Sequence, residues 1–282
     1  MRLGIALKRF LPDFEARLLL RRAINLPRDT FDLLTRRRDP LIPPRGLWFV
    51  GGEKDYAAIN EEFLGYFVNL GKLQPNQRVL DVGCGIGVVA ARLTKFLTTR
   101  GSYDGFDIVR VGIDWASDNI TRLHPNFHFK HTDVFNKHYN PRGKLDPGSF
   151  PFPYESGSFD FVFLKSVFTH MRPDSVQHYL REVMRVLKPD GHCLVTVFLL
   201  NEESKHLIES GQSSLPLSHN CGEYSVVDPE FPETTIGFPE GSFLKWVQAV
   251  GLRPESPAHY GSWCGRQKFL SYQDISILRR AY

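Results

Sequence analysis

The 282-residue sequence is poor in sulfur, with four cysteines and three methionines. Its cysteines are widely spaced and form no C-x-x-C pair, which argues against a cysteine metal cluster and a disulfide scaffold. No run reaches the roughly 18–20 apolar residues that a membrane-spanning helix needs, and frequent Lys and Arg exclude a signal-peptide core at the N-terminus. We therefore expect a cytoplasmic protein without a metal, one that can also lie at a membrane surface.

The basic residues are concentrated at one end of the chain. Residues 1–46 hold 11 basic and 5 acidic side chains, whereas residues 47–282 hold 24 basic and 26 acidic ones, so the net charge of +4 is the sum of a basic and a slightly acidic part. With 42% apolar and 23% charged residues, the composition is globular and excludes collagen-like and disordered classes. We expect a basic helical arm with a linker over 1–46 and one folded domain over 47–282.

Short apolar runs alternate with helical patterns from residue 78 onward, which is typical of βαβ units around a parallel sheet. We expect strands over 78–82, 102–107, 127–130, 159–165 and 192–199. Helices are expected over 55–70, 87–98, 116–123, 174–187 and 242–250, after an N-terminal helix over 1–26 that is interrupted near Pro12. Residues 200–240 are expected to be irregular, and 253–260 with 268–278 to form a terminal hairpin.

The informative motif is Val-Leu-Asp-Val-Gly-Cys-Gly-Ile-Gly over residues 79–87. Alternating glycines after a strand allow the backbone to turn sharply and to approach a ligand closely, and the helix that follows presents free N–H groups. A dinucleotide-binding G-x-G-x-x-G loop has its third glycine one position later, where this chain has Val88. Asp81 before the first glycine suits a cationic amino-acid ligand better than a diphosphate.

Two further acids follow the next two strands. Asp107 ends the second strand, where a carboxylate can accept hydrogen bonds from both hydroxyls of a ribose. Asp133 comes just after the third strand, where it can meet an adenine amino group. Asp114 is a second candidate for the ribose, although a helix N-cap before Trp115 is the more ordinary role for it.

With these motifs over residues 55–200, the chain resembles the class I S-adenosylmethionine-dependent methyltransferases, in the small-molecule group called methyltransferase type 11. The resemblance implies a Rossmann-like α/β fold: a seven-stranded, mostly parallel sheet of order 3-2-1-4-5-7-6 with its last strand antiparallel. It implies S-adenosylmethionine as cofactor and a small molecule as methyl acceptor. The cofactor-binding residues that it implies are Asp81, Gly83, Cys84, Gly85, Gly87, Asp107, Ile108, Asp133, Val134, Lys165 and Ser166.

The methyl acceptor cannot be identified from the sequence, and an oxygen of a sugar, polyketide, phenol or lipid is our expectation. His170, past the fourth strand, is the first candidate for a general base, although a histidine here can also pack beside the cofactor without a chemical role; His219, His259 and Tyr260 are weaker candidates. The Asn-Pro-Pro-Tyr signature of base-amine methyltransferases is absent, and residues 47–282 are not basic, so nucleic acid is disfavoured. A member of the fold that binds the cofactor without methylating stays open.

Three segments outside the motifs have expected roles. The insert 136–158 and the stretch 201–240 are expected to shape the acceptor pocket, because long loops in compact domains are usually functional. Trp48 and Phe49 are expected to close over the cofactor or to pack on the sheet edge. The basic segment 1–38 is expected to be a solvated helix packed on the domain, a membrane-surface helix, or a contact for a partner or nucleic acid; the second is considered because basic amphipathic stretches bind anionic lipid.

Overall fold

The computed structural model describes residues 14–35, 37–49 and 56–281. Its helices are α1 Phe14–Thr35, α2 Tyr56–Asn69, α3 Val88–Leu93, α4 Arg110–Ala116, α5 Pro173–Val186, α6 Glu202–Glu209 and α7 Glu240–Ala249. Its strands are β1 Arg78–Val82, β2 Ser102–Asp107, β3 Phe127–His131, β4 Phe159–Leu164, β5 Leu187–Val197, β6 Leu199–Leu200, β7 His219–Asn220, β8 Ser225–Val226, β9 Ile236–Pro239, β10 Leu252–Pro254 and β11 Asp274–Arg280.

Seven strands form the central sheet in the order β10-β11-β5-β4-β1-β2-β3. Strands β1 to β5 run parallel to one another, and β11 is antiparallel to both of its neighbours. Counted within this sheet the order is 3-2-1-4-5-7-6, so the expected Rossmann-like topology and the terminal hairpin are confirmed. Because β2 and β4 flank β1 on opposite sides, the direction of the strand order changes at β1, where ligands bind in open α/β sheets.

Both faces of the sheet are buried, which explains why β1 and β4 are almost continuously apolar. Phe161 and Phe163 of β4 point to one face and pack with Phe67 of α2, in a core that also contains residues of α3 and α4. Val162 and Leu164 point to the other face, in a core with residues of α5 and α7. The alternation along β4 therefore places helices on both sides and fixes the register of the strand.

Several boundaries differ from the expectation, and helix α3 ends at Leu93 instead of continuing to residue 98. Helix α4 begins at Arg110 and continues through a π-helical turn, Ser117–Thr121, instead of beginning at residue 116. Its buried residues Ile113, Ala116 and Ile120 have helical spacing, so the pattern begins earlier than we expected. Strand β5 begins at Leu187, because the expected break at Pro189-Asp190-Gly191 is an irregularity in its pairing with β4. Proline is tolerated at such a bulge.

The stretch that we expected to be irregular contains regular structure. Helix α6 is capped by Asn201, whose side chain accepts from the Ser204 backbone while the Ser204 hydroxyl accepts from the Asn201 backbone. This reciprocal pair is a capping box, which favours helix initiation. Strands β6, β9, β8 and β7 form a small second sheet.

The N-terminal helix also differs from the expectation. Helix α1 extends to Thr35 and contains Pro27, whereas we expected its end at residue 26; the expected break near Pro12 lies outside the described residues. No helix in the described part of the chain is both long enough and apolar enough to cross a bilayer.

Candidate active site

A cavity of about 710 Å³ lies at the sheet edge where β1, β2 and β4 end. Ten of the residues predicted for the site line it: Asp81, Gly83, Cys84, Gly85, Asp107, Ile108, Val134, Lys165, Ser166 and His170. Residues from α2, from the 136–158 insert, from the start of α5 and from the 201–240 stretch complete the wall. Its size is within the range of small-ligand sites.

The three glycines of the β1–α3 loop all need the left-handed conformation. Gly83, Gly85 and Gly87 have φ of 78°, 59° and 77°, which glycine adopts without the penalty of a Cβ atom. A Cβ at Gly83 would lie 2.6 Å from Cγ2 of Val167. The prediction of a sharp turn is therefore confirmed, and the close approach of this backbone to a ligand stays a prediction.

The carboxylate of Asp107 holds this loop. Its Oδ2 accepts from the Gly85 backbone N–H at 2.7 Å and its Oδ1 accepts from the Val109 N–H at 2.8 Å. Burial raises the pKa of Asp107, against the effect of these backbone donors. Each carboxylate oxygen has a further lone pair, so Asp107 can accept ribose hydroxyls from the cavity while it fixes the loop.

Asp81 and Lys165 place opposite charges at one end of the cavity. The Tyr103 hydroxyl donates to Asp81 Oδ2 at 2.6 Å, yet burial still raises the pKa of Asp81 to about 7. Burial lowers the pKa of Lys165, against the attraction of Asp81, and its ammonium lies 4.9 Å from the centre of the Phe63 ring of α2. Both side chains therefore line this end of the cavity, and each favours the charged form of the other against the effect of burial.

Asn60 is a site residue that the sequence analysis missed. It lines the cavity from α2 and is 4% exposed, and its Nδ2 has no hydrogen-bond partner among the described residues. A buried amide donor without a partner is costly, and a ligand carboxylate would satisfy it. With Asp81 for an ammonium group and Lys165 for a carboxylate, the residues at this end fit the zwitterionic amino-acid part of S-adenosylmethionine.

Ser166 has a strained backbone beside the same end. Its φ of 58° is unusual for a residue with a side chain and costs about 1 kcal/mol or more. The Ser166 N–H donates to Thr196 Oγ1 at 2.7 Å, and its hydroxyl donates to Gln273 Oε1 at 3.1 Å. Ser166 and Gln273 both line the cavity, so these bonds keep a strained residue directed at it.

Glu233 connects three segments of the cavity wall around His170. We call this part of the cavity its mouth. Its backbone oxygen lies 3.0 Å from His170 Nδ1, and its Oε2 accepts from the Lys137 N–H at 3.0 Å. Its other carboxylate oxygen lies 3.8 Å from Nε of Arg172. The 201–240 stretch thus binds both the insert and the loop after β4, as expected for segments that shape one pocket.

Phe49 and Trp48, from the segment between α1 and α2, also line the cavity. Trp48 is buried, with its indole N–H donating to the Pro43 oxygen at 3.0 Å. The Phe49 ring contacts the ring of Phe14, which in turn contacts the ring of Tyr139 from the insert. These aromatic side chains therefore enclose the cavity from the side of α1.

Two predicted site residues do not line the cavity. Gly87 caps α3, and a Cβ there would lie 2.8 Å from Cδ1 of Ile120. Asp133 Oδ1 accepts from the side chain of Asn140 in the insert at 3.1 Å. Asp133 therefore positions the insert, and its contact with adenine stays a prediction.

Asp114 is neither a cavity residue nor an N-cap. It is exposed within α4 and pairs with Arg110 one turn earlier, so both interpretations of it were wrong. His219, His259 and Tyr260 are not among the cavity residues, and the Tyr260 hydroxyl donates to Glu240.

No group of three or more His, Cys, Asp or Glu in residues 14–35, 37–49 and 56–281 could hold a metal ion.

With this geometry established, comparison with known proteins identifies the family. The sequence profile of the methyltransferase domain family matches residues 55–256. The chain belongs to this family. Its cofactor is S-adenosylmethionine.

Two curated relatives and one solved structure are representative of the similarity. Phthiotriol/phenolphthiotriol dimycocerosates methyltransferase 1 of Mycobacterium ulcerans is 36% identical over 122 residues, which are 43% of this chain and 37% of the relative. The 27-O-demethylrifamycin SV methyltransferase of Amycolatopsis mediterranei is 26% identical over 66% of this chain and 67% of its own. The PH0226 protein of Pyrococcus horikoshii OT3 shares the fold, with a TM-score of 0.57 and 16% identity over 81% of this chain and 92% of that one. The match to the first relative thus spans little more than a third of that protein.

The raised pKa of Asp81 gives the site a testable pH dependence. If the cofactor's ammonium group faces Asp81, binding stabilises the ionised carboxylate and lowers its pKa from about 7. Affinity for S-adenosylhomocysteine should then rise as pH increases towards about 7, with up to one proton released per ligand, and level off above it. Calorimetric titrations in two buffers of different ionisation enthalpy measure this release. The Asp81→Asn variant should lose it, and a wild-type affinity that does not change with pH would refute the assignment.

Proposed function

We propose that this protein is an enzyme that transfers a methyl group from S-adenosylmethionine to a small molecule, at an oxygen of a sugar, polyketide, phenol or lipid. The observation that supports this most strongly is that Asp81, Lys165, His170 and Glu233 all line one cavity of about 710 Å³. A single cavity of this size allows a small acceptor to meet the cofactor. Similarity to the 27-O-demethylrifamycin SV methyltransferase of Amycolatopsis supports an oxygen acceptor.

The residues that line the cavity have proposed roles in binding the cofactor. Asp81 faces the ammonium group of the cofactor, and Lys165 and Asn60 hold its carboxylate. Asp107 accepts the ribose hydroxyls, and the backbone of Val134 lies against the adenine. These contacts direct the sulfonium, which supplies an electrophilic methyl group when bound, towards the mouth of the cavity. Alignment of an acceptor with that methyl group accounts for several kcal/mol of rate acceleration in reactions of this kind.

His170 is the proposed general base for an oxygen acceptor. Its Nδ1 lies 3.0 Å from the Glu233 backbone oxygen, and because a carbonyl oxygen can only accept, Nδ1 carries the proton. In the neutral ring the lone pair is therefore on Nε2. With the cofactor bound, Nε2 would take the proton of an acceptor hydroxyl, whose oxygen would bond to the methyl carbon as the carbon–sulfur bond breaks and S-adenosylhomocysteine leaves.

Substitution of His170 by glutamine should lower kcat by about a hundredfold or more while changing KM little, because a positioned base contributes on that order. The acid limb of the pH profile of kcat should also disappear, since it reports protonation of the base. The matched control is His178→Gln: this histidine also bonds a backbone oxygen, that of Phe150, at 2.7 Å, but does not line the cavity. A His170→Gln enzyme with weaker cofactor binding and an unchanged pH profile would show that His170 only packs beside the cofactor.

The proposed function is tested by transfer of a labelled methyl group from S-adenosylmethionine into a whole-cell extract. After incubation with the full chain, the extract is separated into polar metabolite, lipid, protein and nucleic-acid fractions. We expect label in the metabolite or lipid fraction, and none with the Asp107→Ala variant. Label confined to protein or nucleic acid would contradict a small-molecule acceptor. Tight cofactor binding without label in any fraction would indicate a non-methylating member of the fold.

A further inference from the structure

Helix α1 exposes its apolar side chains. None of its residues is buried, and Ile24, Leu33 and Leu34 are 67%, 77% and 77% exposed. At 3.6 residues per turn, the exposed apolar residues cover about half of the helix circumference. We call this half the outward face of α1, and it contains Leu19, Leu20, Ile24, Leu26, Phe31, Leu33 and Leu34.

The opposite side of α1 binds the rest of the protein through carboxylates. The two oxygens of Asp29 accept from the backbone N–H groups of Arg45 and Gly46, each at 2.9 Å. Asp32 pairs with the Arg45 side chain. A Cβ at Gly46 would lie 2.9 Å from the Arg22 Cα, so the turn Arg45–Leu47 approaches the helix backbone closely. These contacts fix the rotation of α1 about its axis.

This orientation is the reverse of the usual one. An amphipathic helix on a globular domain normally buries its apolar face and exposes its polar face. Here the polar side is used for docking on the protein, and the described residues do not cover the apolar side. A contiguous apolar surface of this kind is typical of an interaction site rather than of bare protein surface.

The charges beside the outward face identify its partner. Arg22 and Arg28 are exposed and flank the outward face, one beyond each of its edges, within a segment that has six more basic than acidic residues. Leucine and phenylalanine on one face with arginine at its margins is the pattern of helices that lie in the interface of anionic membranes. We propose that the outward face of α1 docks on a lipid bilayer that contains anionic phospholipid.

A second copy of the chain fits the same surface less well. Pairing two outward faces would bring the marginal arginines of both copies together, and like charges at an interface oppose association. Phosphate groups of a bilayer would instead neutralise the arginines while its acyl chains accept the leucines. The charge of the segment therefore favours lipid over self-association.

Docking would also orient the candidate active site. Phe14, in the first turn of α1, contacts the rings of Phe49 and Tyr139 at 5.7 and 5.6 Å between ring centroids, and both of these residues line the cavity. A helix lying on the bilayer thus brings one wall of the cavity to the membrane surface, where an amphiphilic acceptor is concentrated. This consequence rests on the proposed function, whereas the docking itself does not.

The docking is tested by sedimentation of the full chain with vesicles. One set contains equal parts of phosphatidylglycerol and phosphatidylcholine, and the other contains phosphatidylcholine alone. We expect binding to the first set that weakens as salt is added and much weaker binding to the second. Ile24→Ser together with Leu34→Ser should lower the affinity by about tenfold or more, because two exposed apolar side chains no longer enter the interface.

The matched control is Leu123→Ser together with Phe269→Ser, which removes two apolar side chains that are also exposed but lie outside α1. This control should bind vesicles as the wild type does, and both double variants should keep the wild-type melting temperature, since exposed substitutions change stability little.

Wild type that fails to bind the anionic vesicles would overturn the proposal. It would also be overturned if the wild type is a dimer by analytical ultracentrifugation and the α1 variant is a monomer. Cofactor binding, measured separately, keeps this failure distinct from a failure of the proposed function.

Discussion

Alanine in place of Asp107 is expected to reduce affinity for S-adenosylmethionine by at least about a hundredfold. The carboxylate accepts from the backbone N–H groups of Gly85 and Val109 and has lone pairs left for two ribose hydroxyls. Hydrogen bonds to a charged group contribute about 1.5–3 kcal/mol each, so the loss of two already exceeds two orders of magnitude. The loop that Asp107 fixes would also lose its shape, which adds to the effect.

Calorimetric titration with S-adenosylhomocysteine measures this loss, and Asp104→Ala is the matched control. Asp104 is a buried acid on the same strand, but it pairs with Arg78 at 3.2 Å and lies outside the cavity. Its removal should lower the melting temperature and leave the affinity unchanged. An Asp107→Ala protein that binds the ligand as tightly as wild type would refute the ribose assignment.

Alanine at Gly83 should also weaken cofactor binding, through backbone strain and a collision of the new Cβ. The left-handed φ of 78° costs about 1–2 kcal/mol for any other L-residue, and the new Cβ would lie 2.6 Å from Cγ2 of Val167. The loop must therefore move, and with it the backbone that borders the cavity. We expect cofactor affinity to fall at least about tenfold in equilibrium binding measurements.

The Gly157→Ala variant separates the effect of backbone strain from the effect of the collision with Val167. Gly157 also has a left-handed φ, of 63°, but a Cβ there would meet no atom within 4 Å. Both variants should lose similar stability from backbone strain, and only Gly83→Ala should lose affinity. Equal affinities in the two variants would mean that the β1–α3 loop tolerates a shift and does not define the cofactor site.

The sheet and much of the candidate site could be predicted because they depend on local patterns. Buried parallel strands are short apolar runs, so Arg78–Val82 and Ser102–Asp107 were predicted to the residue. The alternating glycines indicate φ values that other residues avoid, and Asp107 is the last residue of its strand, at the carboxyl edge of the sheet. Sequence order and strand polarity together place such residues at one edge.

The rest depends on tertiary contacts that a local pattern does not encode. Asn60 is three residues before Phe63 and seven before Phe67, so a polar residue on the buried face of α2 was the available signal for it. Glu233 reaches the cavity through residues far away in the chain, and no local feature indicates this. The rotation of α1 is set by Asp29, whose partners at Arg45 and Gly46 lie beyond the end of the helix.

A crystal structure of the full chain with S-adenosylhomocysteine tests the central claim most directly. Our account predicts the ribose hydroxyls within hydrogen-bond reach of Asp107, and the amino-acid carboxylate against Lys165 and the Asn60 amide. The sulfur should face the mouth beside His170. A nucleoside bound away from Asp107, or an amino-acid end that leaves the Asn60 amide without a partner, would contradict it.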